Sequence, residues 1–251
     1  ICFCTLLTHT SHHLIMPLFL CSWTLFPGSI DACFTVFGGM TEEDDKRDRG
    51  SDDIKTLGRW SIIGEGKGFV VFEAPDVKTV YNWIFNWTTM ATLVVKPILD
   101  DNQARRIILG KEPDFQVDYS HTYDSAKEGE SLYAITWKSS PGCKAELLKA
   151  FGALTEEADK ADGGVNTCLG RWHNIGDGTG FAIASSPGEE ALYEWAYHWA
   201  PLCDVEFHPV CNDAETREIA SSKPGFAEKR QALMAAMSTS TQQHRDPEAP
   251  A

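Results

Sequence analysis

The chain has 251 residues, 43% of them apolar and 23% charged. That is ordinary globular composition, long enough for more than one domain at roughly 150 residues each, and it excludes a collagenous, low-complexity or membrane-embedded chain. Lys and Arg number 22 against 36 Asp and Glu, a formal charge of −14, which argues against nucleic acid or an anionic membrane as main partner, because both need positive charge at the contact.

Residues 1–15 precede Met16 and match nothing later in the chain. They read as a leader or a non-native extension. Leu14 to Phe26 is apolar but contains Pro17. It is too short for a membrane span of about 20 residues, and it lacks the basic segment of a secretory signal. Its larger part reads as the first strand, 18–25. The eight cysteines form no C-x-x-C pair, so the usual zinc and redox spacings are missing. Reduced thiols in an intracellular compartment, cytoplasmic or organellar with a plastid included, are the expectation.

An internal repeat organises the rest of the chain. Residues 57–87 match 169–199 without a gap at 13 of 31 positions. Leu57-Gly58-Arg59-Trp60 recurs as Leu169-Gly170-Arg171-Trp172, and Trp83 and Trp87 recur as Trp195 and Trp199. Upstream the offset changes from 112 to 114, as in Thr41-Glu42-Glu43 and Thr155-Glu156-Glu157. A period of this kind marks duplicated units.

In chain order each unit reads as β-α-β-β-α-β plus a final helix. The first strand spans 18–25 or 132–138. Pro-Gly ends it, and a helix follows over 29–38 or 143–153. Glu42 to Asp53, with seven acids and three bases, reads as a solvated loop. The second and third strands flank Gly64-x-Gly66-x-Gly68 and Gly176-x-Gly178-x-Gly180. Lying between two strands, this run reads as a hairpin turn and not a phosphate loop, which would need a helix N-terminus. The third strand is nearly free of charge and reads as central. The fourth, 93–98 or 205–210, carries Pro97 or Pro209 and reads as an edge strand, open to oligomer contacts. Between them lies a helix whose Trp pair, at i and i+4, reads as core. The predicted fold class is therefore α+β: two tandem ferredoxin-like repeats packed as an internal pseudo-dimer of the dimeric α/β-barrel type. The boundaries are 16–115 for repeat 1, 116–130 for an acidic linker and 131–226 for repeat 2. In 227–251 a short helix precedes a disordered tail from Ser238.

Leu192-Tyr193-Glu194-Trp195-Ala196-Tyr197-His198-Trp199, followed by a strand ending in Pro209-Val210, resembles a family of short domains catalogued only as a domain of unknown function. The resemblance covers both repeats and implies a dimeric α/β-barrel fold. It supplies no catalytic residues.

Candidate site residues come from the repeat and from where its copies differ. Arg59 and Arg171, each beside Trp60 or Trp172, are placed to take a carboxylate or phosphate, or to pair with an acid across the interface. Strand alternation puts Arg171 and His173 on one face and Trp172 on the other. Repeat 2 has His173, His198 and His208 where repeat 1 has Ser61, Asn86 and Lys96. Glu206 and His208 share one side of the fourth strand and are expected near Arg171 and His173, an acid/base cluster. No metal-ligand spacing, cofactor motif or known catalytic motif is present, so no cofactor or metal is expected. The leading expectation is a non-catalytic binding or assembly module, with self-association, a protein partner or a small molecule as its contact. The alternative is a small-molecule-binding enzyme of the α/β-barrel type, with its site in repeat 2 at Arg171, His173, Glu206 and His208. The charge is −4 over 16–115 but −7 over 131–226, so the copy with the histidines is also the more acidic.

Overall fold

The computed structural model describes residues 16–119 and 125–243, with side chains up to Ala236. Repeat 1 runs β1 (Leu18–Leu25), α1 (Ile30–Gly38), α2 (Glu42–Arg49), β2 (Lys55–Ile62), β3 (Lys67–Glu73), α3 (Val77–Phe85), β4 (Ala91–Asp100) and α4 (Asp101–Leu109). Repeat 2 restates it as β5 (Ser131–Ser139), α5 (Lys144–Ala153), α6 (Glu156–Asp162), β6 (Thr167–Asn174), β7 (Thr179–Ser186), α7 (Glu189–Trp199), β8 (Cys203–Pro209), β9 (Cys211–Asn212) and α8 (Asp213–Ser221). A last helix, α9 (Phe226–Gln243), completes the chain's described part.

The strand order is β8-β5-β7-β6-β4-β1-β3-β2-β9. Within each repeat this is fourth, first, third, second, the ferredoxin-like order. The fold is α+β with two such repeats. β9 continues β8 past Val210, so the order begins and ends on one run of chain and the sheet closes on itself. The two joins are equivalent. Leu99 and Asp100 of β4 pair with His173 and Trp172 of β6, while Cys211 and Asn212 of β9 pair with Ser61 and Trp60 of β2. The ends of the fourth strands, expected to be open to other molecules, are thus paired within the chain.

Closure gives the sheet an inside and an outside. Inside, Trp60 and Trp172 lie 6.3 Å apart, both against Phe181 at 5.7 and 5.8 Å. Leu18, Ile62, Val71, Ile98, Leu132, Leu169 and Ile183 complete this shared core. Outside, helices cover each half. α3 packs Val80, Trp83 and Ile84 on Phe19, Cys21, Val70 and Phe72. α7 packs Leu192 on Tyr133, Ile135, Ala182 and Ala184.

The glycine runs are hairpin turns. Gly66 and Gly178 have φ of 62° and 72°, a left-handed conformation that a side chain disfavours. Gly68 and Gly180 serve a different end. They face Trp23 and Trp137 across the sheet, and a Cβ there would sit 2.1 or 1.8 Å from the indole ring.

One expectation needs correction. Glu42 to Arg49 is a helix, not a solvated loop. Thr41 and Asp44 cap its start reciprocally, and four acids in its first turn and three bases in its last match the helix dipole. α9 runs as far as Gln243. The extension 1–15 and residues 244–251 lie outside the described residues. Among the described residues no helix is long and apolar enough to cross a membrane.

Candidate functional site

The final helix of each repeat packs on the other repeat: α4 on α5 and β6, α8 on α1 and β2. Their caps, Asp100 and Asn212, accept from the backbone N–H groups of Gln103 and Glu215. The next residues, Asp101 and Asp213, then meet an arginine of the opposite repeat. Arg171 donates from Nε to Asp101 Oδ1 at 2.9 Å and from Nη2 to Asp101 Oδ2 at 2.5 Å, with Asp159 Oδ1 at 3.0 Å from Nη2. Arg59 does the same with Asp213 at 2.8 and 2.6 Å and Asp45 at 3.0 Å.

A phenylalanine underlies each cluster. Arg59 and Arg217 lie over Phe37 at 4.7 and 4.3 Å, and Arg171 and Arg105 over Phe151 at 5.1 and 4.2 Å. Arg105 is 1% exposed and donates to Phe151 O and Leu154 O. Both repeat-matched arginines, Arg59 and Arg171, thus pair with an acid of the opposite repeat, one of the two arrangements the sequence offered.

The helices α2 and α6 hold a second paired device. The indole Nε1 groups of Trp83 and Trp87 both donate to Asp48 Oδ2, at 2.8 and 2.9 Å. Trp195 and Trp199 repeat this on Asp162 Oδ2 at 2.8 and 2.9 Å. Of the pair residues, expected as core, Trp83 is buried while Trp87, Trp195 and Trp199 are half-buried, and the polar edges of both pairs fix the charged helix beneath.

The repeats part company in the space between sheet and helices. Repeat 2 has a half-open cavity of about 460 Å³ there, bordered by Trp137, Phe151, Leu192, Trp195, Trp199 and the outer faces of β5 to β8. The corresponding space in repeat 1 is about 80 Å³. Side-chain size accounts for the difference. Val70, Phe72 and Ile84 of repeat 1 become Ala182, Ala184 and Ala196. Phe115 to Tyr119, at the start of the linker, close one side of the cavity.

Among the polar residues of the wall, which include Glu156, Lys160, Asn166 and Arg171, His173 lies deepest against the sheet. Its side chain is 7% exposed, and Nε2 lies 2.6 Å from Asp101 Oδ1. An ionised carboxylate only accepts, so Nε2 carries the hydrogen and Nδ1 is the ring's acceptor. Trp137 meets the ring edge-on at 5.5 Å and Phe151 covers it at 4.3 Å. Burial, the largest influence, holds the imidazole below its ordinary value against the pull of Asp101. Burial pushes the Asp101 carboxyl up, but Arg171 and the His173 bond outweigh it and hold it well below the usual range. Tyr119 donates its hydroxyl to Asp101 Oδ2 at 3.2 Å. Asn166, also on the wall, uses its NH₂ on Gly163 O and Ala191 O and leaves a buried Oδ1 without a partner.

The candidate residues do not converge. Arg171 and His173 sit on the outer face of β6, at the cavity. Trp60 and Trp172 fill the barrel interior. Glu206 and His208 also point to the inner side of the sheet, since His208 pairs across from the core residue Ala134 and approaches Phe69 at 6.1 Å. Glu206 is exposed, with 76% of its side chain accessible. The expected acid/base cluster is thus split by the sheet itself, because β6 and β8 present these residues on opposite faces. His198 lies on α7, 62% exposed.

Sequence reasoning gave no role to Asp101, Asp159, Asp162 or Tyr119. The first three had a signal: Asp101/Asp213, Asp45/Asp159 and Asp48/Asp162 hold the repeat offset. Among the described residues six cysteines are free. Burial pushes Cys21 up to about 12 and, with Asp204 adding to it, Cys203 up to about 11, unlike a nucleophilic thiol. No group of three or more metal-binding side chains occurs among the described residues.

The model of a family described as a domain of unknown function (DUF3303) matches residues 17–111 and again 131–223. The chain belongs to this family, in two tandem copies. No curated protein matches it in sequence. Solved structures similar to it include a protein provisionally described as a monooxygenase from Lactobacillus acidophilus NCFM, at 9% identity over 79% of this chain and 94% of that one, with a TM-score of 0.45. Another is provisionally described as a chlorite dismutase, at 8% identity, 82% and 99% coverage and a TM-score of 0.47. A microcompartment protein from Desulfitobacterium hafniense DCB is similar at 13% identity, 80% and 99% coverage and a TM-score of 0.26. At these identities and TM-scores the likeness carries no argument about this chain.

Proposed function

We propose that this DUF3303 protein binds a small, largely apolar molecule in the cavity of repeat 2, with repeat 1 as its scaffold. One observation carries the reading: two copies of one domain share their clamps, caps and strand order, yet one space is about 460 Å³ and the other about 80 Å³. The larger value falls within the roughly 300–1,000 Å³ of small-molecule sites. Three tryptophans and Phe151 supply apolar wall, His173 and Asn166 Oδ1 supply polar points deep in it, and Glu156 and Lys160 border it. This balance suits an aromatic or alicyclic ligand with one or two polar groups.

Arg171 supports the site from behind. Asp101 and Asp159 already engage it, so it orders the wall and is not the anchor for an anionic ligand. Assembly as the main role has weaker support, since the ends of the fourth strands are joined within the chain.

The test uses the purified full chain. Native mass spectrometry reads any retained small molecule, and tryptophan fluorescence reads uptake of anilinonaphthalene sulfonate. Uptake by the parent and loss of uptake in Ala184→Phe, with circular dichroism unchanged, support the reading. Equal uptake in both contradicts it.

A further inference from the structure

We propose that His173 is a general base, and that repeat 2 removes a proton from a small planar molecule carrying an acidified C–H or O–H group. This inference rests on the cavity reading above and adds an activity to it. Two features distinguish the repeat 2 space from its counterpart in repeat 1, and they coincide. The wall residues at two positions shrink to Ala182 and Ala184, and Ser61 becomes His173. A histidine serving only to hold the repeats together would have no need of a cavity beside it. The clamp in repeat 1 works with Ser61 at that position, Arg59 and Asp213 meeting at 2.6 Å.

The geometry of the ring fits the role. A base must present its lone pair to the bound acid while its other nitrogen is fixed. The 2.6 Å bond from Nε2 to Asp101 does the fixing and leaves Nδ1 to accept. Trp137 and Phe151 prevent the ring from turning. Asp101 touches the histidine and not the bound molecule, so it is a positioning residue. Its carboxylate, held ionised by Arg171 at 2.5 Å, stabilises the imidazolium that forms. The charged groups facing His173 are Asp101, Arg171 and Arg105. The step balances without an oxidant or a cofactor: the C–H or O–H bond breaks, its electron pair stays on the substrate, and the proton goes to Nδ1 and later to water.

A test needs a probe acid that reports deprotonation by colour. 5-Nitrobenzisoxazole is small, planar and largely apolar. Its C3–H proton leaves to the base, the C–H electrons form a nitrile, and the N–O bond breaks to give a coloured phenolate. The purified full chain is expected to release phenolate about 10²-fold faster than an equal concentration of free imidazole. His173→Ser, the repeat 1 residue, is expected to fall to the imidazole level, and Ala184→Phe, which keeps the histidine but fills the cavity, to fall with it. His208→Asn, on the inner face of the sheet, is expected to keep the full rate. Asp101→Asn is expected to move the acid limb of the rate's pH profile to lower pH, which a merely structural role would not do.

Tryptophan quenching by the same compound separates the two readings. Quenching without turnover, or with turnover unchanged in His173→Ser, overturns the base and leaves the binding site standing. Absence of quenching removes the cavity reading and this proposal with it.

Discussion

Arg171 and Asp101 belong to different repeats and lie on different layers, yet their guanidinium and carboxylate meet side-on at 2.5 and 2.9 Å. Asp101 is 1% exposed and the Arg171 side chain 12%. The pair exists because α4 leaves its own repeat and docks on the other. Breaking it by removing one partner leaves a buried charge uncompensated, which costs about 3–5 kcal/mol. Arg171→Ala is therefore expected to lower the denaturant midpoint strongly, and Asp213→Ala to do so less, because Asp213 is more exposed than Asp101 at 35% against 1%. Chemical denaturation of the two variants checks the order.

Stability is expected to fall as pH drops below neutral. His173 is held below its ordinary value of 6.5 in the fold, so the unfolded chain takes up a proton near pH 6.5 that the folded chain refuses. The unfolded state binds more protons, and stability rises with pH through that window. Asp101 acts in the same direction further down. Its carboxyl is depressed from 3.8, so its contribution is present above pH 4 and is lost as pH falls below. His173→Ser should flatten the slope near pH 6 and leave the acid limb in place. Midpoints measured from pH 2 to 8 test both parts.

Gly180→Ala is expected to destabilise by more than about 2 kcal/mol, in the range that clashes in a packed layer produce. The added Cβ would stand 1.8 Å from the Trp137 ring, and that ring is wedged against His173 at 5.5 Å. Trp137→Leu in the same chain should recover part of the loss. A thermal melt of the single and double variants decides whether the indole is the reason for the glycine.

The architecture was legible in the sequence because rare residues carry it. Tryptophans at a fixed offset gave the repeat, and the prolines of the fourth strands gave the edges. That Arg171 and His173 share a face came from strand alternation, but not that this face lies under the helices. The charged helix α2 was not legible from composition. Its apolar content is nil, and what holds it is Asp45 under Arg59 and Asp48 under Trp83 and Trp87, partners 14 to 39 residues away. The error over Glu206 and His208 came from treating an open sheet face as one surface. Once the sheet closes, that face becomes the barrel interior, and β6 shows its histidine to the helices. The cavity left a trace in the replacement of Val70 and Phe72 by Ala182 and Ala184, readable only when the copies are set side by side.

Repeat 1 offers the reciprocal experiment. Phe72 is fully buried against Phe19 and Trp83, at 5.8 and 5.2 Å. Phe72→Ala should cost about 3–5 kcal/mol as a large-to-small core change. Ala184→Phe should cost far less, because the space it enters is already open. Equal costs would mean that the repeat 2 cavity collapses in solution.

The central claim is that the space bordered by Ala182, Ala184 and the three tryptophans is a ligand site. Titration of anilinonaphthalene sulfonate into the parent chain and Ala184→Phe, monitored by tryptophan quenching, tests it most directly. The account predicts saturable 1:1 quenching in the parent and its loss in the variant, with both folded. Quenching of equal strength in both chains would contradict it.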